Sequence, residues 1–299
     1  MVLNRYSEIF SDQLVNKLKP LMIEFQAPIS SLHLRFSGGV WALHDEYDSR
    51  EDHPYKYGYG VLMHGAYHFI DIVTQLLSLN RLVFPDDIFI MSLTSFGAFP
   101  SDHVDRVSQK VRTDFDDQGK NLARTSPSTG IVYGETDIVT SFSVTNKSTG
   151  SVITLGTLAF EQTTPSVRHW KALPSIYNVN GRLTSVNVEA RLGHLQSITV
   201  DYYDKPGSDA VLDPDNIESF AQITIKSNAS LLEKHAYVQT KEFHHVHSSD
   251  SNRALLNAWL NGTETLSDIT THVLPMLLTQ YLAQSAKKPG TTITFDLEC

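Results

Sequence analysis

The sequence predicts an α+β fold: one large, mostly antiparallel or mixed open sheet with helices packed on one of its faces. Three observations predict it. Both ends of the chain have helical apolar spacing, the middle is a run of alternating strand patterns, and strands and helices do not alternate strictly. The 299 residues have no internal repeat and no Pro/Gly/Ser-rich linker, so we expect a single domain over residues 1–299.

The N-terminal region is predicted to be helix, strand and helix. Apolar residues recur at helical spacing over residues 5–19, and Pro20 is expected to end that helix. Residues 29–36 alternate apolar and polar side chains, which indicates a half-buried strand. A polar loop follows, and residues 60–79 then predict a helix of about five turns.

The central region is predicted to be strands. Strand patterns occupy residues 88–99, 137–144, 152–162, 185–192, 195–203 and 221–226. The segment Asn146-Lys-Ser-Thr-Gly150 predicts a hairpin turn, because Asn and Gly tolerate the positive φ that such turns need. Residues 112–134 are expected to form a long flexible loop.

The C-terminal region returns to helix. Residues 251–260 predict a short helix that Asn261-Gly262 ends. Ser267 or Asp268 is expected to cap a second helix that runs to about residue 285. Pro275 inside this pattern requires either a kink or a helix that starts later. Residues 291–297 predict a last short strand.

Composition and missing motifs exclude several classes of protein. The chain carries 24 Lys+Arg against 33 Asp+Glu, a formal charge of −9, and one cysteine, Cys299. It therefore predicts no internal disulfide, no cysteine zinc finger and poor binding to nucleic acid. Without a signal peptide or an 18-residue apolar run, a soluble cytoplasmic protein is expected. The sequence also lacks Gly-x-Gly-x-x-Gly, the phosphate-loop motif and Gly-x-Ser-x-Gly.

One stretch has the residue types and the spacing for chemistry. It runs Gly58-Tyr-Gly-Val-Leu-Met-His64-Gly-Ala-Tyr-His68-Phe-Ile-Asp71, largely within the helix predicted for residues 60–79. At about 100° per residue, His64, His68 and Asp71 fall within an arc of roughly 60° on one helix face. Apolar residues occupy the opposite side, so the helix is amphipathic with imidazoles and a carboxylate on its polar face.

Three interpretations of this polar face compete. The first is the solvated face of a surface helix, the commonest origin of such a pattern. The second is acid–base chemistry, in which a carboxylate one turn away orients an imidazole that titrates near neutral pH. The third is a metal site, because His-x-x-x-His places two imidazoles one turn apart. Against the third, Gly65 stands where a His-Glu-x-x-His protease carries its general base.

Other polar or aromatic features have simpler interpretations. Phe243-His-His-Val-His247 would place two imidazoles on one strand face, but three histidines in a polar loop are more often unliganded. Asp102-His-Val-Asp105 follows a proline and is interpreted as a loop. Trp170 and Trp259 are expected to fill the core rather than to bind a ligand.

The stretch around His68 resembles a segment of the Gfo/Idh/MocA oxidoreductases, whose second domain carries a Gly-Gly-Gly-x-Leu-x-Asp-x-Gly-x-His-x-x-Asp helix. The matching residues here are Gly58, Gly60, Leu62, His68 and Asp71. His64 replaces the usual Asp, although some members also have His at that position, and Ala66 replaces the usual Gly.

Both ends of the chain resemble that domain, in the same order. Leu3-Asn-Arg-Tyr6 before a Leu-rich helix resembles the Asn-Arg-Arg-Phe segment that opens the family's second domain. Residues 255–262, then Ser267-Asp-Ile269 and Gln284-Ser-Ala286, resemble its closing segment. By resemblance, the chain is expected to begin where the second domain begins. The Rossmann domain's glycine motif and its Glu-Lys-Pro motif are absent from the sequence.

The resemblance implies a division of roles between two domains. The Rossmann domain binds NAD or NADP and supplies a catalytic Lys, whereas the second domain forms the pocket for a sugar or related hydroxyl compound and dimerises through its open sheet. His68 is expected to exchange a proton with a substrate hydroxyl, and His64 to occupy the orienting position. Asp71, at the helix end, is also expected to act as a structural partner. The residues expected to contact substrate are Tyr67, Asp71, Arg35 and Trp41.

These expectations define a function and two alternatives. The chain is expected to be the substrate-binding and oligomerisation part of an NAD(P)-dependent oxidoreductase, inactive alone because it lacks a hydride acceptor. Its expected partners are a sugar-like substrate, a second copy and a separate Rossmann domain, with no nucleic acid and no membrane. The alternatives are a non-catalytic binding or scaffolding protein, and a metal-dependent hydrolase or isomerase that uses His64 and His68.

Overall fold

Nine strands form one continuous sheet in the computed structural model, which describes residues 3–41, 51, 55–106, 132–168, 183–206, 217–233, 236–246, 248–263 and 266–297. In chain order the strands are β1 (Ser31–Trp41), β2 (Phe89–Ala98), β3 (Asp137–Asn146), β4 (Val152–Arg168), β5 (Ser185–Leu192), β6 (Gln196–Pro206), β7 (Ile217–Ser227), β8 (Val238–Phe243) and β9 (Thr292–Asp296). Across the sheet their order is β8-β7-β6-β5-β1-β4-β3-β2-β9. Every neighbouring pair is antiparallel except β1 and β4, so the predicted mixed open sheet is confirmed.

Helices cover one side of this sheet. The four longest are α1 (Asn16–Phe25), α2 (Tyr67–Ser78), α3 (Ser248–Leu260) and α4 (Val273–Lys287). The helices α2 and α4 contact each other and strands of the sheet, whereas α3 contacts the N-terminal turn Leu3–Tyr6. The predicted α+β architecture is therefore confirmed. No helix in the described part of the chain is long and apolar enough to cross a membrane.

Side-chain alternation along the strands separates the two faces of the sheet. Leu34 of β1 pairs with Leu158 of β4 and Val188 of β5, and all three are at most 2% exposed. Their neighbours along each strand point to the opposite side, as an extended chain requires. We call the side packed against α2 and α4 the helix face and the other side the open face.

The N-terminal helix differs from its prediction. The π-helix Glu8–Val15 leads directly into α1, which continues through Pro20 to Phe25. Pro20 lies shortly after the change from π to α spacing, a place where a residue without an N–H is tolerated. The helix ends instead at Gln26, which has a left-handed φ of 48° and whose N–H bonds to the carbonyl of Met22.

Two predicted turn features are confirmed. In the β3–β4 hairpin, Gly150 has φ 73° and donates its N–H to the carbonyl of Asn146 over 2.9 Å. Near the C-terminus, the carboxylate of Asp268 caps a short 3₁₀ turn by accepting the N–H of Thr270. Helix α4 therefore starts late, and Pro275 falls in its first turn, where its missing N–H has no partner to lose.

Other expectations were wrong or lie outside the described residues. Strand β8 was not predicted. Trp259 is 68% exposed rather than buried, because α3 packs through another side onto the Leu3–Tyr6 turn. Trp170 and most of the predicted loop, residues 112–131, lie outside the described residues.

Candidate functional site

The histidine-bearing helix forms as predicted, with an irregular start. A π-helical turn, Leu62–Ala66, carries His64 and runs directly into α2, which carries His68. Before the turn, Gly58 adopts φ 83° and donates its N–H to the carbonyl of Tyr55 over 2.9 Å. Because a positive φ favours glycine, Gly58 sets the direction from which the chain enters this helix.

Glu135, from a distant part of the chain, caps the start of the helix. Its carbonyl accepts the N–H of Val61 over 2.7 Å, and its Oε1 accepts the N–H of Leu62 over 3.0 Å. A Cβ added to Gly60 would meet the backbone N of Glu135 at 2.5 Å. Gly60 is therefore the residue that lets the segment around Glu135 approach closely enough to satisfy the first N–H groups of the helix.

A second close approach explains the glycine that follows His64. A Cβ on Gly65 would lie 2.9 Å from the ring of Phe36 on β1. That ring also stacks on Phe69 of α2, with 5.0 Å between the centroids. Gly65 thus allows the histidine-bearing turn to pack directly on the sheet, which is a structural reason for a glycine between the two histidines.

His68 has a buried ring nitrogen without a partner. Its side chain is half-buried, and no hydrogen bond to Nδ1 is found among the described residues. Burial lowers the pKa of His68, and the nearby carboxylate of Asp71 only partly offsets this effect. The ring is therefore neutral near pH 7, and a neutral imidazole keeps one nitrogen lone pair that can accept a proton.

Asp71 is an internal ion-pair partner. It is fully buried and bonds to the guanidinium of Arg5 through Nη2 and through Nε, the latter over 2.9 Å to Oδ2. Gln75 donates to the same oxygen over 2.7 Å. Arg5 also bonds the carbonyl of Leu266 over 2.5 Å and that of Thr271 over 2.9 Å. Asp71 thus ties the chain start, α2 and the segment before α4 together.

Tyr67 belongs to a hydrogen-bonded chain that sequence reasoning did not find. Its hydroxyl lies 2.8 Å from Nδ1 of His272, and Nε2 of His272 lies 2.9 Å from the hydroxyl of Ser267. Burial raises the pKa of Tyr67 and lowers that of His272, so both are neutral near pH 7. All three side chains line an open groove beside the start of α4.

The other predicted substrate contacts are not brought to His68. Arg35 points to the open face and pairs with Glu161 over 2.7 Å, so the sheet lies between Arg35 and α2. Trp41 is the last residue of β1, and its side chain lies outside the described part of the chain. His64 precedes His68 by about one turn and is half-buried.

The remaining polar clusters resolve into local contacts. Nδ1 of His244 lies 2.7 Å from Glu218, and His245 is exposed with φ 51°. His247 lies outside the described residues. Asp102 accepts the N–H of Phe99 in a turn. Among the described residues, no group of three or more His, Cys, Asp or Glu side chains could hold a metal ion.

Glu135 and His272 are the two residues near this helix that the sequence analysis missed. Glu135 is far from residues 58–71 in the chain, and His272 is farther still. Neither belongs to a motif of its own, since only the folded chain brings them next to α2. The one available signal was the Gly58-Tyr-Gly60 pair, because closely spaced glycines mark places where another backbone approaches.

Comparison with known proteins finds relatives by fold alone. No protein-family model and no curated protein matches the sequence. An oxidoreductase domain protein from Kribbella flavida matches with a TM-score of 0.51 and 10% identity, over 100% of this chain and 65% of that chain. Levoglucosan dehydrogenase in complex with NADH matches with a TM-score of 0.52 and 13% identity, over 99% and 65%. The same enzyme with NADH and levoglucosan matches with a TM-score of 0.50 and 13% identity, over 98% and 64%.

These matches define a class of fold. The structures that share it are an oxidoreductase domain protein and levoglucosan dehydrogenase. This chain spans about 65% of the length of the solved structures that it matches. At 10–13% identity the likeness concerns the fold, and activity has to be argued from the site.

Proposed function

We propose that this chain is the substrate-binding and oligomerisation part of an NAD(P)-dependent oxidoreductase of the Gfo/Idh/MocA type, acting on a sugar or a related hydroxyl compound. The observation that carries the proposal is the unpartnered, buried Nδ1 of His68. His68 lies on the helix where the sequence matches the family's acid/base motif. The fold of the chain is similar to that of a solved sugar oxidoreductase. A buried polar atom without a partner is costly, so a bound ligand is the natural source of the missing bond.

In this proposal His68 is the general acid/base that transfers the proton of the reaction. NAD(P), when bound, supplies the hydride acceptor for oxidation of a substrate alcohol. The neutral ring of His68 accepts the proton of the substrate hydroxyl, and returns it in the direction of reduction. Burial keeps water from the ring, and the Arg5–Asp71 pair holds α2 in place. His64 lies about one turn away, at the orienting position that the resemblance assigns to it.

The residues of this chain fit a role in proton transfer. They do not fit the binding of a dinucleotide. His68 supplies an available ring nitrogen, whereas the sequence has no Gly-x-Gly-x-x-Gly loop for a pyrophosphate. We infer that the dinucleotide is held by residues outside this sequence, and that the chain alone gives no turnover.

The experiment is a substrate titration followed at single histidines. The isolated chain is titrated with levoglucosan, the ligand of one solved relative, while the imidazole resonances are recorded by NMR. We expect binding to shift the His68 resonances and to weaken at least ten-fold in His68→Gln. The matched control is His33→Gln on the open face, where both ring nitrogens are already bonded to Ser31 and Thr157.

Two results would count against the proposal. Binding of levoglucosan that is equally strong in His68→Gln and the unchanged chain would remove His68 from the site. If no compound in a panel of pyranoses and polyols binds, the alternative of a non-catalytic binding or scaffolding protein is favoured. The observation that supports this alternative is the replacement of the family's Asp by His64. Metal analysis of the purified chain tests the remaining alternative, a hydrolase or isomerase that uses His64 and His68.

A further inference from the structure

An open groove runs between the start of the histidine-bearing helix and α4. Its volume is about 620 Å³, within the range of small-molecule sites. The apolar part of its lining includes Leu62, Met63, Val273, Met276, Leu277 and Ala283. Among the described residues, neither His64 nor His68 lines it. It shares Met63, Ile269, His272 and Met276 with the groove that Tyr67 lines.

Glu135 contributes the only formal negative charge to the described lining of this groove. Its side chain is 6% exposed, and its Oε1 is bonded to the N–H of Leu62. In the described part of the chain, the other oxygen, Oε2, accepts no hydrogen bond from another residue. Glu135 also forms no ion pair with any described Lys, Arg or His. One carboxylate oxygen is thus left available at the wall of an apolar groove.

The electrostatics of the groove favour a cationic ligand. Burial raises the pKa of Glu135, while the N–H of Leu62, the backbone N–H of Glu135 itself and the charge of Lys287 act in the opposite direction. The other polar side chains of the lining, Thr279, Gln280 and His272, are neutral near pH 7. A buried carboxylate without a counter-charge is unfavourable, and a ligand that brings a positive charge removes this penalty.

We propose that this groove binds a small primary amine with an apolar body. The ammonium group pairs with Oε2 of Glu135, and the hydrocarbon part lies against Met63, Val273 and Met276. The amine form is favoured over an alcohol or an acid because the lining supplies one negative charge and no positive one. An anionic ligand would meet that carboxylate directly.

Three probes of one shape test this proposal. The chain is titrated by calorimetry with 4-phenylbutylamine, 4-phenylbutanol and 4-phenylbutyrate, which share a phenylalkyl body and end in a cationic, a neutral and an anionic group. We expect the amine to bind at least ten-fold more tightly than the alcohol, and the acid not to bind. Equal affinity for the amine and the alcohol, or no binding of the amine, overturns the proposal.

Two variants of groove residues and one control variant locate the charge. Glu135→Gln keeps an acceptor for the Leu62 N–H, so the helix start is retained, and the ten-fold preference for the amine should disappear. Glu161→Gln, which changes a half-buried carboxylate on the open face, should keep the preference for the amine. Gln280→Lys places an ammonium in the groove from an exposed position, and should weaken amine binding without touching the helix cap. An unchanged amine preference in both groove variants overturns the proposal.

Proton release provides a measurement that does not depend on folding of a variant. At a pH where the Glu135 carboxyl is still protonated, it must ionise to pair with the amine, so binding there should release a proton, measured as a dependence of the heat on the buffer. The affinity should rise with pH as Glu135 ionises. His68→Gln should leave all of these results unchanged, so the amine site and the proposed oxidoreductase site can fail separately.

Discussion

At the scale of single residues, two histidines differ in whether their ring nitrogens have hydrogen-bond partners. Both ring nitrogens of His33 are bonded, at 3.0 Å to Ser31 and 2.7 Å to Thr157. The buried Nδ1 of His68 has no partner among the described residues. An unsatisfied buried polar atom costs about 1–3 kcal/mol, so folding alone gives no reason to retain it. This is why His68, rather than any exposed histidine, is assigned the proton-transfer role.

The lowered pKa of His68 predicts how stability depends on pH. Between its folded-state pKa and the unfolded value of about 6.5, the folded chain binds fewer protons than the unfolded chain. The free energy of unfolding should therefore rise with pH through this window and gain nothing further from His68 above it. Urea unfolding at a series of pH values measures this slope. His68→Gln should flatten it and His33→Gln should not; equal slopes in the unchanged chain and His68→Gln would contradict the assignment.

Two ion pairs of different burial give a second residue-scale prediction. Asp71 is fully buried with Arg5, whereas Arg35 is 61% exposed beside Glu161. Breaking a buried pair leaves an uncompensated charge and costs about 3–5 kcal/mol. An exposed pair contributes about 0–1 kcal/mol because water screens it.

Asp71→Asn should therefore lower the free energy of unfolding by about 3–5 kcal/mol. Glu161→Gln, which breaks the exposed pair, should lower it by less than about 1 kcal/mol. Chemical denaturation of the two variants compares them directly. Similar losses in both would mean that Arg5 finds another partner when Asp71 is changed.

At the scale of elements, the histidine-bearing helix depends on contacts that lie outside it. Its first N–H groups are satisfied by Glu135, its π-helical turn packs on the sheet through Gly65, and Tyr67 connects it to His272 before α4. Local sequence predicted the helix, but its start is defined by residues from two other parts of the chain. The helix and the segments that cap it therefore form one cooperative unit.

Two glycine substitutions test the closeness of that packing. A Cβ on Gly60 would lie 2.4 Å from the carboxyl group of Glu135 and 2.5 Å from its backbone N, whereas a Cβ on Gly38 of β1 meets nothing within 4 Å. Because the backbone of Glu135 would have to move, Gly60→Ala should destabilise the chain by about 1–3 kcal/mol. Gly38→Ala should change stability by less than about 1 kcal/mol. Thermal unfolding of both variants measures the difference, and a tolerated Gly60→Ala would refute the close approach.

At the scale of the whole molecule, the open face of the sheet is where a second copy is expected. The helices cover the other face, and the open face carries exposed apolar side chains on β2, β3 and β4. Phe96 is 59% exposed, its partner Val139 on β3 is 43% exposed and Leu155 on β4 is 58% exposed. A large sheet with one uncovered face is commonly covered by another layer.

We predict a homodimer through this face. Sedimentation velocity should give a dimer for the unchanged chain, and Leu155→Asp should shift it to a monomer by burying a charge in the interface. Ile269→Asp is the matched control, since Ile269 is 83% exposed but lies beside α4. Dissociation by Ile269→Asp instead of Leu155→Asp would place the contact on the helix side.

Local patterns predicted most elements, and long-range contacts decided most of the site. The alternation in β1, the β3–β4 hairpin and the Asp268 cap depend on neighbours within a few residues, so the sequence predicts them. The prediction that Pro20 ends the first helix was wrong. The local sequence does not distinguish a proline that is tolerated after a π-helical turn from one that ends a helix. Arg35 was grouped with His68 from the resemblance, but its position along β1 sends it to the other side of the sheet.

The sequence established the order of the elements, the amphipathic helix with His64 and His68, and the resemblance to a domain of sugar oxidoreductases. Those features depend on short spacings, which survive in a one-dimensional pattern. The partners of these residues were decided by the tertiary structure: Arg5 on Asp71, Glu135 on the helix start and His272 on Tyr67. Each of these contacts joins segments more than sixty residues apart. Only the packing of the helices on the paired strands of the sheet brings such groups within bonding distance.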